Sequence, residues 1–171
     1  MTSSSLPLPF SLSGDELLTE RLVLRPWTAA EVSAVLDGPR SDGWAGDFPA
    51  EGDGVIAGFL RDSPEGLHPY GHRLVAERDG GLVIGSIGLF WPPNDGVLEL
   101  GYGVVPSRQG RGYASEAAGA LAGYGLTAPG VHTVRAQVEL ANPASVRVLE
   151  KAGLRRVSDD GTLAEFAVTA D

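Results

Sequence analysis

Hydrophobic and polar residues recur with clear periods along most of the chain. Leu22-Val23-Leu24 is a short apolar strand, ended by Arg25-Pro26. Thr28 followed by Glu31 has the form of a capping box, and Val32, Val35 and Leu36 continue as one helix face until Gly38-Pro39. The segment 39–53 is rich in Gly, Asp and Pro, carries Trp44 and Phe48, and reads as a loop. Val55, Ile56, Phe59 and Leu60 return to helical spacing, with Asp53 as a cap.

The period then changes. Residues 73–78, 82–91 and 97–105 are β-rich and separated by Asp79-Gly80-Gly81 and Pro92-Pro93-Asn94-Asp95-Gly96, which predicts a three-stranded antiparallel meander. A helix follows over about 112–126, with Ala114, Ala117, Ala118 and Leu121 as a small-residue face. Residues 133–140 alternate as a strand. Asn142 suits an N-cap, Pro143 suits N1, and Gly153 ends the helix they open. Two strands close the chain, near 154–158 and 163–168, joined by Asp159-Asp160-Gly161. The predicted order is β-α-α-β-β-β-α-β-α-β-β, an α+β pattern in one domain over 17–171. Residues 1–16 show little periodicity and read as a flexible arm.

Composition narrows the chemistry. A chain of 171 residues suits one domain with a single core. The absence of cysteine excludes disulfides, thiolate metal sites and a cysteine nucleophile. His68, His72 and His132 show no metal-ligand spacing; Pro69 and Gly71 interrupt the first two, so no metal is expected. The net charge of −9 disfavours nucleic acid and anionic membranes as partners and favours a cationic substrate. The first ten residues hold no basic residue and two prolines, a poor signal peptide. No apolar run approaches the roughly 20 residues that span a bilayer. The expected compartment is the cytoplasm.

The candidate chemistry centres on the stretch from Val104 to Ala117. An apolar strand ends at Pro106, a loop with Arg108, Gly110, Arg111 and Gly112 follows, and an alanine-rich helix begins. That order presents unobstructed backbone N–H groups at a helix N-terminus beside positive charge, a site for phosphates. No Gly-Lys-Ser/Thr follows the glycines, so it is not a P-loop. The third glycine of a dinucleotide fingerprint is missing, and the preceding strands are antiparallel in pattern. A diphosphate cradle from Gln109 to Ala114 remains, as does the plain reading of a tight strand-to-helix turn.

Gln109-Gly110-Arg111-Gly112-Tyr113-Ala114 resembles the Gln/Arg-x-x-Gly-x-Gly/Ala pattern of the GNAT superfamily of acyl-CoA-dependent N-acetyltransferases. Thr19–Pro26 looks like the first strand of its Rim-type (RimJ/RimL-like) branch, and Glu99-Leu100-Gly101-Tyr102 like that branch's fourth strand. Asn142-Pro143-Ala144-Ser145 with Val148–Leu154 is similar to its second conserved block. The resemblance runs from about residue 17 to the C-terminus. It implies a GNAT fold: a mixed, mostly antiparallel twisted sheet flanked by helices and splayed at the acyl-CoA site.

It also implies roles. Backbone amides of Gln109, Gly110, Arg111, Gly112, Tyr113 and Ala114 would hold the pyrophosphate of acetyl-CoA. Val104 and Val105 would bond its pantetheine arm, and N–H groups near Val104 would stabilise the oxyanion. Asn142, sufficient as a helix cap, would also touch the cofactor arm. Ser145 would protonate the departing thiolate, with Tyr102, Tyr113 or water as alternatives. Glu99 shares a strand face with Gly101 and Gly103, where a carboxylate has room to act as base; otherwise it is a solvated strand residue. Arg108 and Arg111 suit phosphate contacts, and Arg147 and Lys151 the nucleotide 3′-phosphate. Trp44 and Phe48 would shape the acceptor pocket, among the acidic Asp42, Asp47, Glu51 and Asp53. The implied reaction is acetyl transfer to a primary amine by direct attack on the thioester. The acceptor stays open among a protein N-terminus, a small amine and an aminoglycoside-type antibiotic. A non-catalytic acyl-CoA sensor is the alternative. Many relatives dimerise, but the sequence carries no decisive dimer signal.

Overall fold

The computed structural model describes residues 9–170. Nine strands form one sheet: β1 Ser11–Ser13, β2 Glu16–Leu18, β3 Leu22–Pro26, β4 His72–Glu77, β5 Val83–Leu89, β6 Val97–Val104, β7 Thr133–Glu139, β8 Arg155–Asp159 and β9 Leu163–Thr169. Their order across the sheet is β1-β2-β3-β4-β5-β6-β7-β9-β8. β6 and β7 pair in parallel, and every other neighbouring pair is antiparallel. The predicted meander is β4-β5-β6. Residues 1–8 of the expected arm lie outside the described residues. In its remainder Ser11–Ser13 pairs with Glu16–Leu18. Two three-residue strands are too short to show a period of two.

Four α-helices pack on the sheet: α1 Ala29–Asp37, α2 Glu51–Asp62, α3 Tyr113–Gly125 and α4 Pro143–Lys151. The capping box at α1 forms, with Thr28 Oγ1 accepting from Glu31 N–H and Glu31 accepting from Thr28 N–H. At α2 the cap position is Ala50 rather than Asp53. Asp53 is the third helical residue, and its carboxylate reaches back to accept from Ala50 N–H at 2.8 Å. Asn142 caps α4 and accepts from Ser145 N–H, and Pro143 opens the helix. The small face of α3 buries Ala117, Ala118 and Leu121 completely or nearly so. A Cβ on Gly119 would lie 3.3 Å from Ala152 O, so the missing side chain lets α3 and α4 approach closely.

One feature of the sheet positions the site. β6 pairs with β7 only over Val97–Glu99 against Thr133–Arg135, whereas it pairs with β5 as far as Val104. Phe90 N–H donates to Glu99 O, and Val105 N–H donates to Ile84 O. Strand alternation therefore turns the main-chain groups of Glu99, Gly101 and Gly103 toward β5 and those of Leu100, Tyr102 and Val104 toward the side that β7 has left. The sheet splays there, leaving an unpaired edge. Among the described residues no helix is long and apolar enough to cross a membrane.

Candidate active site

A cavity of about 420 Å³ lies against the splayed end of β6, the start of α3 and the start of α4. Gln109, Gly110, Gly112 and Ala114 line one end of it. Gly110 and Gly112 have φ of 79° and 81°, the left-handed region in which a side chain costs about 1–2 kcal/mol. These two inversions wind the loop into the first turn of α3 and leave its leading N–H groups without intrahelical partners. Arg108, Arg147 and Lys151 line the same cavity, so cationic side chains surround an anion-binding helix terminus.

The loop is held from behind by Arg21. Its Nε donates to Glu116 Oε1 at 2.7 Å, its Nη1 donates to Arg111 O at 2.8 Å, and its guanidinium lies 4.5 Å from the centre of the Tyr113 ring. Glu116 also accepts from Arg21 N–H and from the Thr19 hydroxyl. Burial pushes the Glu116 carboxyl up, but these bonds outweigh it and hold it below the usual carboxylate range. On the far side Asp47 accepts from both Ser107 N–H and Ser107 Oγ, and these bonds lower its carboxyl too.

The cavity's other end carries two hydroxyls. Tyr102 Oη and Ser145 Oγ share a hydrogen bond. Burial pushes the Tyr102 phenol up, partly opposed by the Ser145 bond, so it stays a neutral O–H. Tyr113 is committed elsewhere, because its hydroxyl donates to Glu77 at 3.1 Å. Arg108 shares that carboxylate at 3.3 Å. Val104 O accepts from Gln109 Nε2 at 2.8 Å, which ties the strand's end to the glycine loop.

A second cavity, of about 360 Å³, opens on the Gly101 and Gly103 face of β6 and is covered by α2. Gly52, Val55 and Ile56 of α2 form one wall, and Gly88 and Gly101 form the floor. Asp53, Ser86 and His72 supply its polar groups. The two cavities share Tyr102, Gly103 and Val104, the stretch of β6 that β7 leaves unpaired.

The profile of the GNAT acetyltransferase domain matches residues 21–155. The chain belongs to the GNAT acetyltransferases. It falls in their RimJ/RimL-like family. A curated relative, "Uncharacterized N-acetyltransferase YnaD" of Bacillus subtilis, is 37% identical over 79 residues, 46% of each chain. The chain thus spans about half the length of the curated relatives it matches. An acetyltransferase structure from Agrobacterium tumefaciens superposes with a TM-score of 0.65 at 28% identity, covering 98% of this chain and 100% of that one. A structure described as a putative ribosomal-protein-serine acetyltransferase from Vibrio cholerae shares the fold, with a TM-score of 0.64 at 18% identity, covering 91% and 97%.

This GNAT chain brings together most of the residues singled out from its sequence. Val104, Gln109, Gly110, Gly112, Tyr113, Ala114, Asn142 and Ser145 all line the first cavity. Arg111 does not; its carbonyl instead anchors Arg21. Val105 lies outside that cavity, with a fully buried side chain and an N–H that donates to Ile84 O, whereas Tyr102 stands on the open edge. Trp44 and Phe48, expected at the acceptor pocket, pack into the core. Phe48 is fully buried, the two rings meet edge-to-face at 5.2 Å, and neither lines the second cavity. Two large aromatics in a loop gain more by covering the core than by facing water, about 1.5–3 kcal/mol for a phenylalanine. Trp44 borders another cavity, of about 260 Å³, with Arg25 and Glu31. Glu99 does lie on the Gly101 and Gly103 face, but it lines neither cavity and its Oε1 stands 3.6 Å from Arg135 Nη2. Asp53, expected from the sequence among the acidic residues around the acceptor pocket, does line the second cavity, whereas its companions Ser86 and His72 and the pairing of Arg21 with Glu116, 95 residues apart, carried no sequence signal.

Proposed function

We propose that this protein transfers an acetyl group from acetyl-CoA to a primary amine. The observation that carries this reading is the shared wall: one unpaired strand segment, Tyr102–Val104, borders both an anion-binding cavity and a separate cavity beneath α2. Donor and acceptor would enter from opposite faces of the sheet and meet there.

The first cavity fits acetyl-CoA. Amides at Gln109–Ala114 would hold its pyrophosphate, and Arg147 and Lys151 the remaining phosphate. The open main-chain groups of Tyr102 and the open N–H of Val104 would pair with the peptide-like pantetheine arm, beside Asn142. The bound thioester supplies an acyl group activated toward amines. N–H groups of the splayed strand near Val104 would stabilise negative charge on its carbonyl oxygen. The linked Tyr102 and Ser145 hydroxyls supply a proton to the leaving sulfur. Glu99, on the acceptor face and open to solvent beside Arg135, receives the amine proton through water.

An assay of thiol release from acetyl-CoA against a panel of amines, with N-terminal peptides, small alkylamines and an aminoglycoside, tests the reading. Release that depends on both substrates is expected. Acetyl-CoA binding without release for any amine would reject it in favour of a sensor.

A further inference from the structure

Asp53 is buried in the wall of the second cavity, only 3% exposed, and has no cationic side chain within ion-pair distance among the described residues. Its two oxygens accept from Ser86 Oγ at 2.5 Å and from Ala50 N–H at 2.8 Å, which leaves further lone pairs on each. A desolvated carboxylate without a counter-charge is costly, and a cation placed beside it would offset that cost.

A second group faces the same space. His72 is 2% exposed and lines the cavity directly over the floor, where a Cβ on Gly88 would come within 2.0 Å of its Nδ1. Its ring meets Phe59 and Phe90 edge-to-face at 5.5 and 4.8 Å, and its Nε2 is buried without a partner. A proton on Nε2 is tolerated against aromatic rings, which leaves the Nδ1 lone pair above Gly88 as a hydrogen-bond acceptor. Register places His72 opposite Gly88 and Gly88 opposite Gly101, so this nitrogen faces the row that leads to the shared segment of β6.

We propose that Asp53 and His72 are the specificity-determining residues for the acceptor: they receive an alkylammonium group whose apolar chain lies along Val55 and Ile56. The inference rests on the acetyl-transfer reading for the identity of the cavity. Asp53 supplies the counter-charge, fixed by Ser86 and Ala50, and His72 accepts an N–H without adding positive charge.

Binding can be tested apart from catalysis. N,N-dimethylbutylamine is a cation that yields no stable amide, and n-butanol is a neutral probe of similar chain. Titrations of each, read on the backbone amides of Ser86 and Gly88 by NMR, are expected to show the amine binding about 10- to 100-fold tighter. Asp53→Asn can keep both hydrogen bonds, donating to Ser86 Oγ and accepting from Ala50 N–H, and is expected to abolish the preference. The same variant should raise the KM for an amine substrate about tenfold or more with the KM for acetyl-CoA unchanged. His72→Phe should weaken the cation severalfold. Equal binding of amine and alcohol by the wild-type protein would overturn the proposal without any variant. Selective cation binding without thiol release would remove the transfer reading and leave this site standing. Thiol release with an unchanged amine KM in Asp53→Asn would do the reverse.

Discussion

The hydroxyls of Tyr102 and Ser145 lie 2.5 Å apart, one on the unpaired end of β6 and the other in the first turn of α4. Either oxygen can donate to the other, so a proton offered to a departing thiolate would be shared between them. Replacing one partner leaves the second in place. Tyr102→Phe and Ser145→Ala should each lower kcat about tenfold, and the double variant about 100-fold or more, within the range for general acid catalysis. Steady-state rates at saturating acetyl-CoA and amine check this. A double variant as fast as wild type would show that water protonates the sulfur, and one no slower than either single would show that the two hydroxyls act as one unit.

Glu99 tests the other proton. Glu99→Gln keeps the size of the side chain on the glycine face and should lower kcat about 10- to 100-fold while flattening the pH dependence of kcat/KM. Its ion pair with Arg135 is about two-fifths exposed on both sides, so its loss should hardly change stability. Rates equal to wild type from mildly acid to alkaline pH would remove Glu99 as the base.

The glycine loop predicts a joint effect on donor affinity and stability. At Gly112, φ is 81° and a Cβ would meet Arg21 Nη2 at 3.3 Å. Gly112→Ala should therefore cost about 1–2 kcal/mol and weaken acetyl-CoA binding. Arg21→Ala, which frees Glu116 and the Arg111 carbonyl, should weaken acetyl-CoA without altering the amine KM. Calorimetric titration with CoA and thermal unfolding measure both.

His72 predicts an acid-side loss of stability. Burial pushes its imidazole down from 6.5 to about 4, so the folded protein keeps it neutral while the unfolded chain takes up a proton. The unfolded state binds more protons in that window, so stability is full above pH 6.5 and falls as pH drops toward 4. The loss approaches about 3 kcal/mol. Urea unfolding across that window should show a shallower slope for His72→Phe.

The sequence alone determined what lies in local pattern. Strand alternation, the Thr28–Glu31 box, the Asn142-Pro143 start and the glycines at 110 and 112 each depend on neighbours a few residues away. They yielded the element order from β3 onward, the glycine turn into α3 and, through resemblance, the family. The short hairpin of β1 and β2 escaped because three residues carry no usable period.

The tertiary structure decided what depends on distant packing. Where β7 leaves β6 chose Tyr102 and Val104, rather than Val105, as the residues with open main-chain groups. Core burial took Trp44 and Phe48 away from the second cavity, because a loop aromatic gives no local sign of which way it will fold. Arg21 reached Glu116 across 95 residues, and α2 laid Asp53 over Ser86 and His72. Each of these contacts joins residues on separate elements, and no periodicity along the chain records which elements come to lie side by side.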